Sequence, residues 1–136
     1  MKSLVAIAAA VVMLVVAGAA QARISTFKTP SGNIGCLYDS SPTFLRCDIR
    51  SGLSPAPPRP GSCDLDWGDS VSLARRGRTK LVCHGDTALL PSAPVLAYGR
   101  TWRRGPFTCT SRRGGLTCEN AADHGFFLSR GSWRRF

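Results

Sequence analysis

No two cysteines of this 136-residue chain form a C-x-x-C pair, and none stands two places from a histidine. Zinc sites are built on such spacings, so a structural zinc site is excluded as the reason for the cysteines. Acids are scarce, with one glutamate and seven aspartates against 18 Lys plus Arg. Asp64, Asp66 and Asp69 lie close together and Asp86 follows, but Trp67 interrupts the run and no glutamate closes it. A calcium loop is therefore incomplete. The run reads instead as a turn whose carboxylates accept from nearby backbone amides. After residue 22 no segment sustains an apolar 3.6-residue period for three turns, which excludes a helical core. No cysteine follows the N-terminal apolar run, so a lipoprotein has no attachment point.

That run is the first positive signal. Lys2 gives a charged start, Leu4 to Gly18 carry no charge, and Ala20-Gln21-Ala22 has the small-x-small pattern that signal peptidase cuts. The stretch falls short of the ~20 apolar residues that span a bilayer comfortably, which disfavours an uncleaved anchor. Residues 1–22 thus read as a signal peptide cleaved after Ala22, and 23–136 as a single domain, secreted or periplasmic. All six cysteines, Cys36, Cys47, Cys63, Cys83, Cys109 and Cys118, lie in that domain. An even set in an exported chain is a disulfide framework, and full pairing leaves no thiolate for catalysis. Cys36 and Cys47 are symmetric about Ser41-Pro42, and Cys109 and Cys118 about Arg113-Gly114. Hairpin symmetry pairs each couple across its turn, and Cys63–Cys83 remains.

The domain reads as all-β: a small disulfide-stapled antiparallel sandwich or barrel. Strand-like runs cover Ile34–Tyr38, Phe44–Ile49, Ser70–Leu73, Thr79–Cys83, Phe107–Ser111, Leu116–Asn120 and Phe126–Leu128, with turn residues between them. Phe107, Leu116 and Phe127 are expected in the core. Ser54 to Pro60, with four prolines, is a stiff connector inside the one domain.

Several segments together resemble a known family. They are Thr29-Pro30-Ser31-Gly32-Asn33-Ile34-Gly35-Cys36, Cys63-Asp64-Leu65-Asp66-Trp67-Gly68, Cys83-His84-Gly85-Asp86-Thr87, Leu96-Ala97-Tyr98-Gly99, Gly115-Leu116-Thr117-Cys118-Glu119-Asn120 and His124-Gly125-Phe126-Phe127-Leu128-Ser129-Arg130. The pattern resembles a family of small exported bacterial proteins classed as a domain of unknown function. The resemblance implies a secreted bacterial protein with paired cysteines, and it implies no catalytic residues. One departure stands out: Asp123 precedes His124 where the pattern leads us to expect glycine.

Charge is the most informative remaining feature. Residues 100–136 hold eight arginines against Glu119 and Asp123, a net +6, while residues 23–99 supply only +3. Aromatics lie among the arginines. Arg100, Trp102, Arg103, Arg104, Arg112, Arg113, Trp133, Arg134 and Arg135 form the candidate polyanion-binding set. Guanidinium groups bind phosphate and carboxylate in two-pronged fashion, and aromatics add stacking. Fitting partners are anionic envelope polymers, lipid headgroups or extracellular nucleic acid. The three arginine pairs are expected to stay solvated, and to act together if they share one face. The favoured reading is a non-catalytic envelope or polyanion-binding module, with no cofactor and no metal. The alternative is a small nuclease-like secreted hydrolase using His84 or His124 for acid–base chemistry.

Overall fold

The computed structural model describes residues 23–136. The signal peptide expected over residues 1–22 and its cleavage after Ala22 lie outside the described residues. Five strands form one antiparallel meander: β1 (Ile24–Lys28), β2 (Ile34–Ser40), β3 (Thr43–Ile49), β4 (Ser70–Ala74) and β5 (Lys80–Leu81). Five more form a second: β6 (Thr101–Arg104), β7 (Phe107–Arg112), β8 (Gly115–Glu119), β9 (Gly125–Leu128) and β10 (Trp133–Arg135). There is no helix among the described residues. The fold is an all-β sandwich, stapled by disulfides.

Strand alternation builds its core. Leu45, Cys47 and Ile49 of β3 face inward, as do Val71 and Leu73 of β4. Phe107 and Cys109 of β7, Leu116 and Cys118 of β8, and Phe126 and Leu128 of β9 meet them in one buried cluster. Tyr38 packs edge-on against Phe107 across the two sheets, their rings 6.0 Å apart. Phe127 corrects the sequence expectation. It lies half-buried on the outer face, because the register that turns Phe126 and Leu128 inward turns Phe127 out.

All three disulfides are as the turn symmetry and elimination indicate. Ser40 pairs with Thr43 and Cys36 with Cys47, so Ser41-Pro42 is a two-residue turn midway between the cysteines. Arg112 pairs with Gly115 and Cys109 with Cys118 in the same way. Both cross-strand couples have Cα atoms 4.1 Å apart. Such close spacing belongs to directly opposed residues that exchange no backbone hydrogen bonds.

Two long connections wrap this frame. The proline-rich segment leaves β3 and returns at its neighbour β4. On the way it touches the other sheet, where Trp133 Nε1 donates to Pro55 O at 2.9 Å. The second connection, residues 82–100, runs as a strap over the outside of the first sheet from β5 to β1. Lys28 N donates to Pro94 O at 2.9 Å and Leu96 N to Lys28 O at 2.8 Å, which covers the β1 edge. A Cβ at Gly35 would lie 2.5 Å from Ala88 O, so glycine is what lets the strap lie flat on β2. The strap then enters β6 and joins the sheets.

Candidate functional site

Two polar clusters warrant attention, one under the strap and one at the end of the sandwich. Beneath the strap, Asp48 on β3 is 1 % exposed. Its Oδ1 accepts from Arg46 Nε at 2.9 Å and Ser70 Oγ at 2.6 Å. Its Oδ2 accepts from Arg46 Nη2 at 2.9 Å, Ala88 N at 2.8 Å and Thr87 Oγ1 at 3.4 Å. The carboxylate is fully satisfied, and two of its donors belong to the strap. Arg46 also grips Asp86 of the strap through Nη1 at 2.7 Å, which holds the Asp86 carboxyl below its usual range.

His84 stands beside this network with both ring nitrogens occupied. Nε2 meets Asp69 Oδ1 at 2.7 Å and Nδ1 meets the Asp86 carbonyl at 2.5 Å. Both partners accept, so the arrangement suits the protonated ring, in which both nitrogens donate. Burial pulls the His84 pKa down. The Asp69 hydrogen bond, the Asp86 carbonyl and the Asp69 charge outweigh that, against repulsion from Arg46, and the pKa is raised above its ordinary value. With no free nitrogen, His84 has nothing to offer a substrate as a base. It clamps the start of the strap to the loop before β4, where Asp66 and His84 also exchange two backbone hydrogen bonds. The Asp69 carboxylate is committed to this clamp, Asp66 joins it through its backbone alone, and Asp64 and Asp66 are exposed.

The clamp makes a pH prediction with a definite sign. A histidine with a raised folded pKa stabilises fully below the unfolded value of about 6.5, and that stability is lost as pH rises through the folded value. The thermal midpoint of the wild type is expected to fall between pH 6 and pH 9 more than that of His84→Gln. Parallel profiles from the two proteins would remove His84 as the cause.

His124 belongs to the other sheet. Its backbone N donates to Asn120 Oδ1 at 3.1 Å, and Asn120 N donates to the His124 carbonyl at 2.9 Å. The residue before it, Asp123, has φ = 61°. That is the left-handed region where glycine is usual and aspartate is tolerated, so the departure from the family pattern falls on the position with glycine-like geometry. Nothing brings His84 and His124 together, and the hydrolase reading gains no support from their surroundings.

The candidate polyanion residues are distributed by the sheet. All eight arginines of residues 100–136 are exposed. Within each Arg-Arg pair on a strand, alternation sends the members to opposite sides. Arg103 and Arg134 face outward, Arg134 lying over the Phe127 ring at 4.7 Å. Arg104 turns toward the other sheet, where its Nε donates to Ser25 Oγ at 3.3 Å, and Arg135 lies 5.7 Å from the Trp133 ring. β6 and β10 are opposite edges of a five-stranded sheet. Four strand spacings put them about 19 Å apart, beyond the ~8 Å Debye length at physiological salt. The pairs therefore do not share one face. Trp102 is half-buried between Phe27, 4.9 Å away, and Tyr38, 6.2 Å away, and Trp133 is held by Pro55. Both tryptophans are engaged in packing.

Arginines converge elsewhere. Arg112 and Arg113 at the β7–β8 tip face Arg130 at the β9–β10 turn across a groove of about 340 Å³. Tyr98 of the strap and Ser31 and Asn33 of the β1–β2 turn complete its walls, and no acidic residue lines it. Arg113 is steadied by the Tyr98 ring, 5.1 Å from its guanidinium carbon. Arg100 is the last residue of the same strap, immediately before β6. Reasoning from sequence missed Arg130, Tyr98, Ser31 and Asn33 as site residues. The model of the family of unknown function DUF6636 matches residues 6–136.

The chain belongs to this family. Neither the curated proteins nor the solved structures yield a match. The DUF6636 assignment covers the whole sandwich, and its three closed disulfides are the chemistry of an oxidising, extracytoplasmic environment.

Proposed function

We propose that this DUF6636 protein is an exported, non-catalytic module that binds anionic polymers of the cell envelope. One observation carries the reading. The four ion pairs among the described residues all lie between Arg23 and Asp86, and none of the eight arginines of residues 100–136 has a carboxylate within 4.0 Å. Each of those guanidinium groups keeps its charge for an external partner. The N-terminal signal-peptide pattern and the disulfides support export.

Salt dependence tests it. Each phosphate contact contributes about −0.9 to the slope of log K against log salt on duplex DNA, because bound counterions are released. Arg103→Gln/Arg104→Gln/Arg134→Gln/Arg135→Gln is expected to lower that slope and to elute earlier than wild type from a dextran-sulfate column. Equal elution and equal slopes would show that the charge is diffuse composition and that these four arginines form no binding site.

A further inference from the structure

The groove at the end of the sandwich carries a narrower assignment, which rests on the anion-binding reading and specifies a ligand. Four separate turns meet there. The first is the β7–β8 tip. Gly115 has φ = 150°, and a Cβ on it would lie 2.5 Å from Leu128 O and 2.6 Å from the Phe127 ring. Only glycine allows the tip to press against the end of β9, and this contact brings Arg112 and Arg113 toward Arg130. The second is the Ser129–Ser132 turn, closed by Ser129 N donating to Ser132 O at 2.9 Å and Ser132 N donating to Ser129 Oγ at 3.1 Å. Arg130 stands at its apex. The third is the Thr29–Ile34 turn, where Thr29 Oγ1 accepts from Ile34 N at 3.2 Å and Ser31 Oγ from Asn33 N at 3.2 Å. The fourth is the end of the strap, fixed to β7 by Gly99 N donating to Ser111 O at 2.7 Å, which sets Tyr98 beside Arg113.

The walls are thus held by backbone bonds, while the charged ends are left unspent. Among the described residues the guanidinium groups of Arg112, Arg113 and Arg130 make no hydrogen bond to the protein and no ion pair. Ser31 uses its oxygen as an acceptor and keeps its hydroxyl proton to donate. The volume is at the lower end of the ~300–1,000 Å³ typical of small-ligand clefts, enough for one charged group and its first substituent. A flat carboxylate is satisfied by a single guanidinium fork. Three guanidinium groups from two turns suit a tetrahedral dianion, whose terminal oxygens point three ways.

We propose that the groove formed by Arg112, Arg113, Arg130, Tyr98 and Ser31 binds a terminal phosphate monoester. The tetrahedral dianion sits among the three guanidinium groups, and its organic substituent leaves along the Tyr98 ring. Free phosphate shares this chemistry without the substituent.

The experiment titrates the disulfide-intact protein with glucose 1-phosphate, inorganic phosphate and acetate, read by amide NMR shifts at residues 112–115 and 129–131. Saturable one-to-one binding of glucose 1-phosphate is expected, tighter than inorganic phosphate and far tighter than acetate. Arg112→Gln and Arg130→Gln should each weaken it roughly tenfold or more, as loss of a charge-assisted bond does. Arg103→Gln/Arg104→Gln removes the same charge as Arg112→Gln/Arg130→Gln and should leave affinity within about twofold, because Arg103 and Arg104 pair with Thr108 and Phe107 at the other end of β7, about 14–17 Å along the strand from Arg112 and beyond the ~8 Å Debye length. The affinity should fall from pH 7 to pH 5, as the monoester takes up its second proton near pH ~6. Equal losses in the two double variants would reduce the groove to a diffuse field. Inorganic phosphate or acetate binding as tightly as the monoester would overturn the ligand. Saturation by glucose 1-phosphate without retention on dextran sulfate keeps this site and sinks the polymer reading. Retention that survives Arg112→Gln/Arg113→Gln/Arg130→Gln, with no saturation by the monoester, does the reverse.

Discussion

Full reduction of the three disulfides is expected to unfold this protein at 37 °C. The bridges close loops of 11, 20 and 9 residues. Chain entropy assigns about 3 kcal/mol to a loop of this size, so the set is worth about 9 kcal/mol. A typical domain has ~5–15 kcal/mol of net stability, and the reduced chain is left near zero. The order of reduction should follow burial. Cys36, Cys47, Cys109 and Cys118 are 0 % exposed in the core, whereas Cys83 is exposed at the strap's start. A mild thiol should open Cys63–Cys83 first and leave the sandwich folded, and the two core bridges should open only with global unfolding. Stepwise alkylation with mass spectrometry, followed by near-UV circular dichroism, measures both. Retention of the native spectrum after all six thiols are alkylated would refute the dependence.

The contrast between these bridges explains what was legible in the sequence. Cys36–Cys47 and Cys109–Cys118 could be read because a cross-strand couple must be symmetric about its turn, and Ser41-Pro42 and Arg113-Gly114 mark the centres. The strands with a clear inner face, such as Ser70 to Leu73, could be read for the same local reason. β6 and β10 could not. Their Trp-Arg-Arg stretches look like charged surface, yet they are edge strands in which the tryptophan packs inward and the arginines stay wet. Phe127 illustrates the limit from the other side. In Phe126-Phe127-Leu128 nothing local says which register faces the core, and only pairing with β8 decides it. The groove lies further out of reach. Its residues come from turns near positions 31, 98, 113 and 130, which share no periodicity. Tyr98 and Arg130 sit in short segments that carry the family resemblance, which marked them without placing them together. The Asp48 network was hidden too, because an aspartate alternating with Leu45, Cys47 and Ile49 reads as outward and solvated until the strap covers it.

Asp48→Ala is expected to cost about 3–5 kcal/mol, the loss that follows when one partner of a buried ion pair is removed. Four groups lose this acceptor at once, Thr87 Oγ1 at 3.4 Å being the most weakly held. The Arg46 side chain, 13 % exposed, keeps Asp86 as its one carboxylate, whose side chain is 81 % exposed and screened by water, and a hydrogen bond to Ser70 Oγ at 3.1 Å. Ser70 Oγ, 2.6 Å from Asp48, loses that bond, and the buried Ala88 amide, 2.8 Å away, has no other partner. Leaving a buried donor unmade carries its own desolvation cost, about 1–3 kcal/mol. Arg46→Met should also destabilise, since it strands the Asp48 charge. Arg46→Met/Asp48→Leu should lose less than the sum of the single changes, because apolar replacement removes the buried charges together. Urea denaturation with the disulfides intact gives the cycle. The local signature separates this role from a general core defect. Amides of residues 84–91 should exchange faster in Asp48→Ala, while those of β7 and β8 keep their protection relative to global stability. A loss below about 1 kcal/mol, or exchange that quickens equally in both sheets, would mean that Asp48 does not anchor the strap.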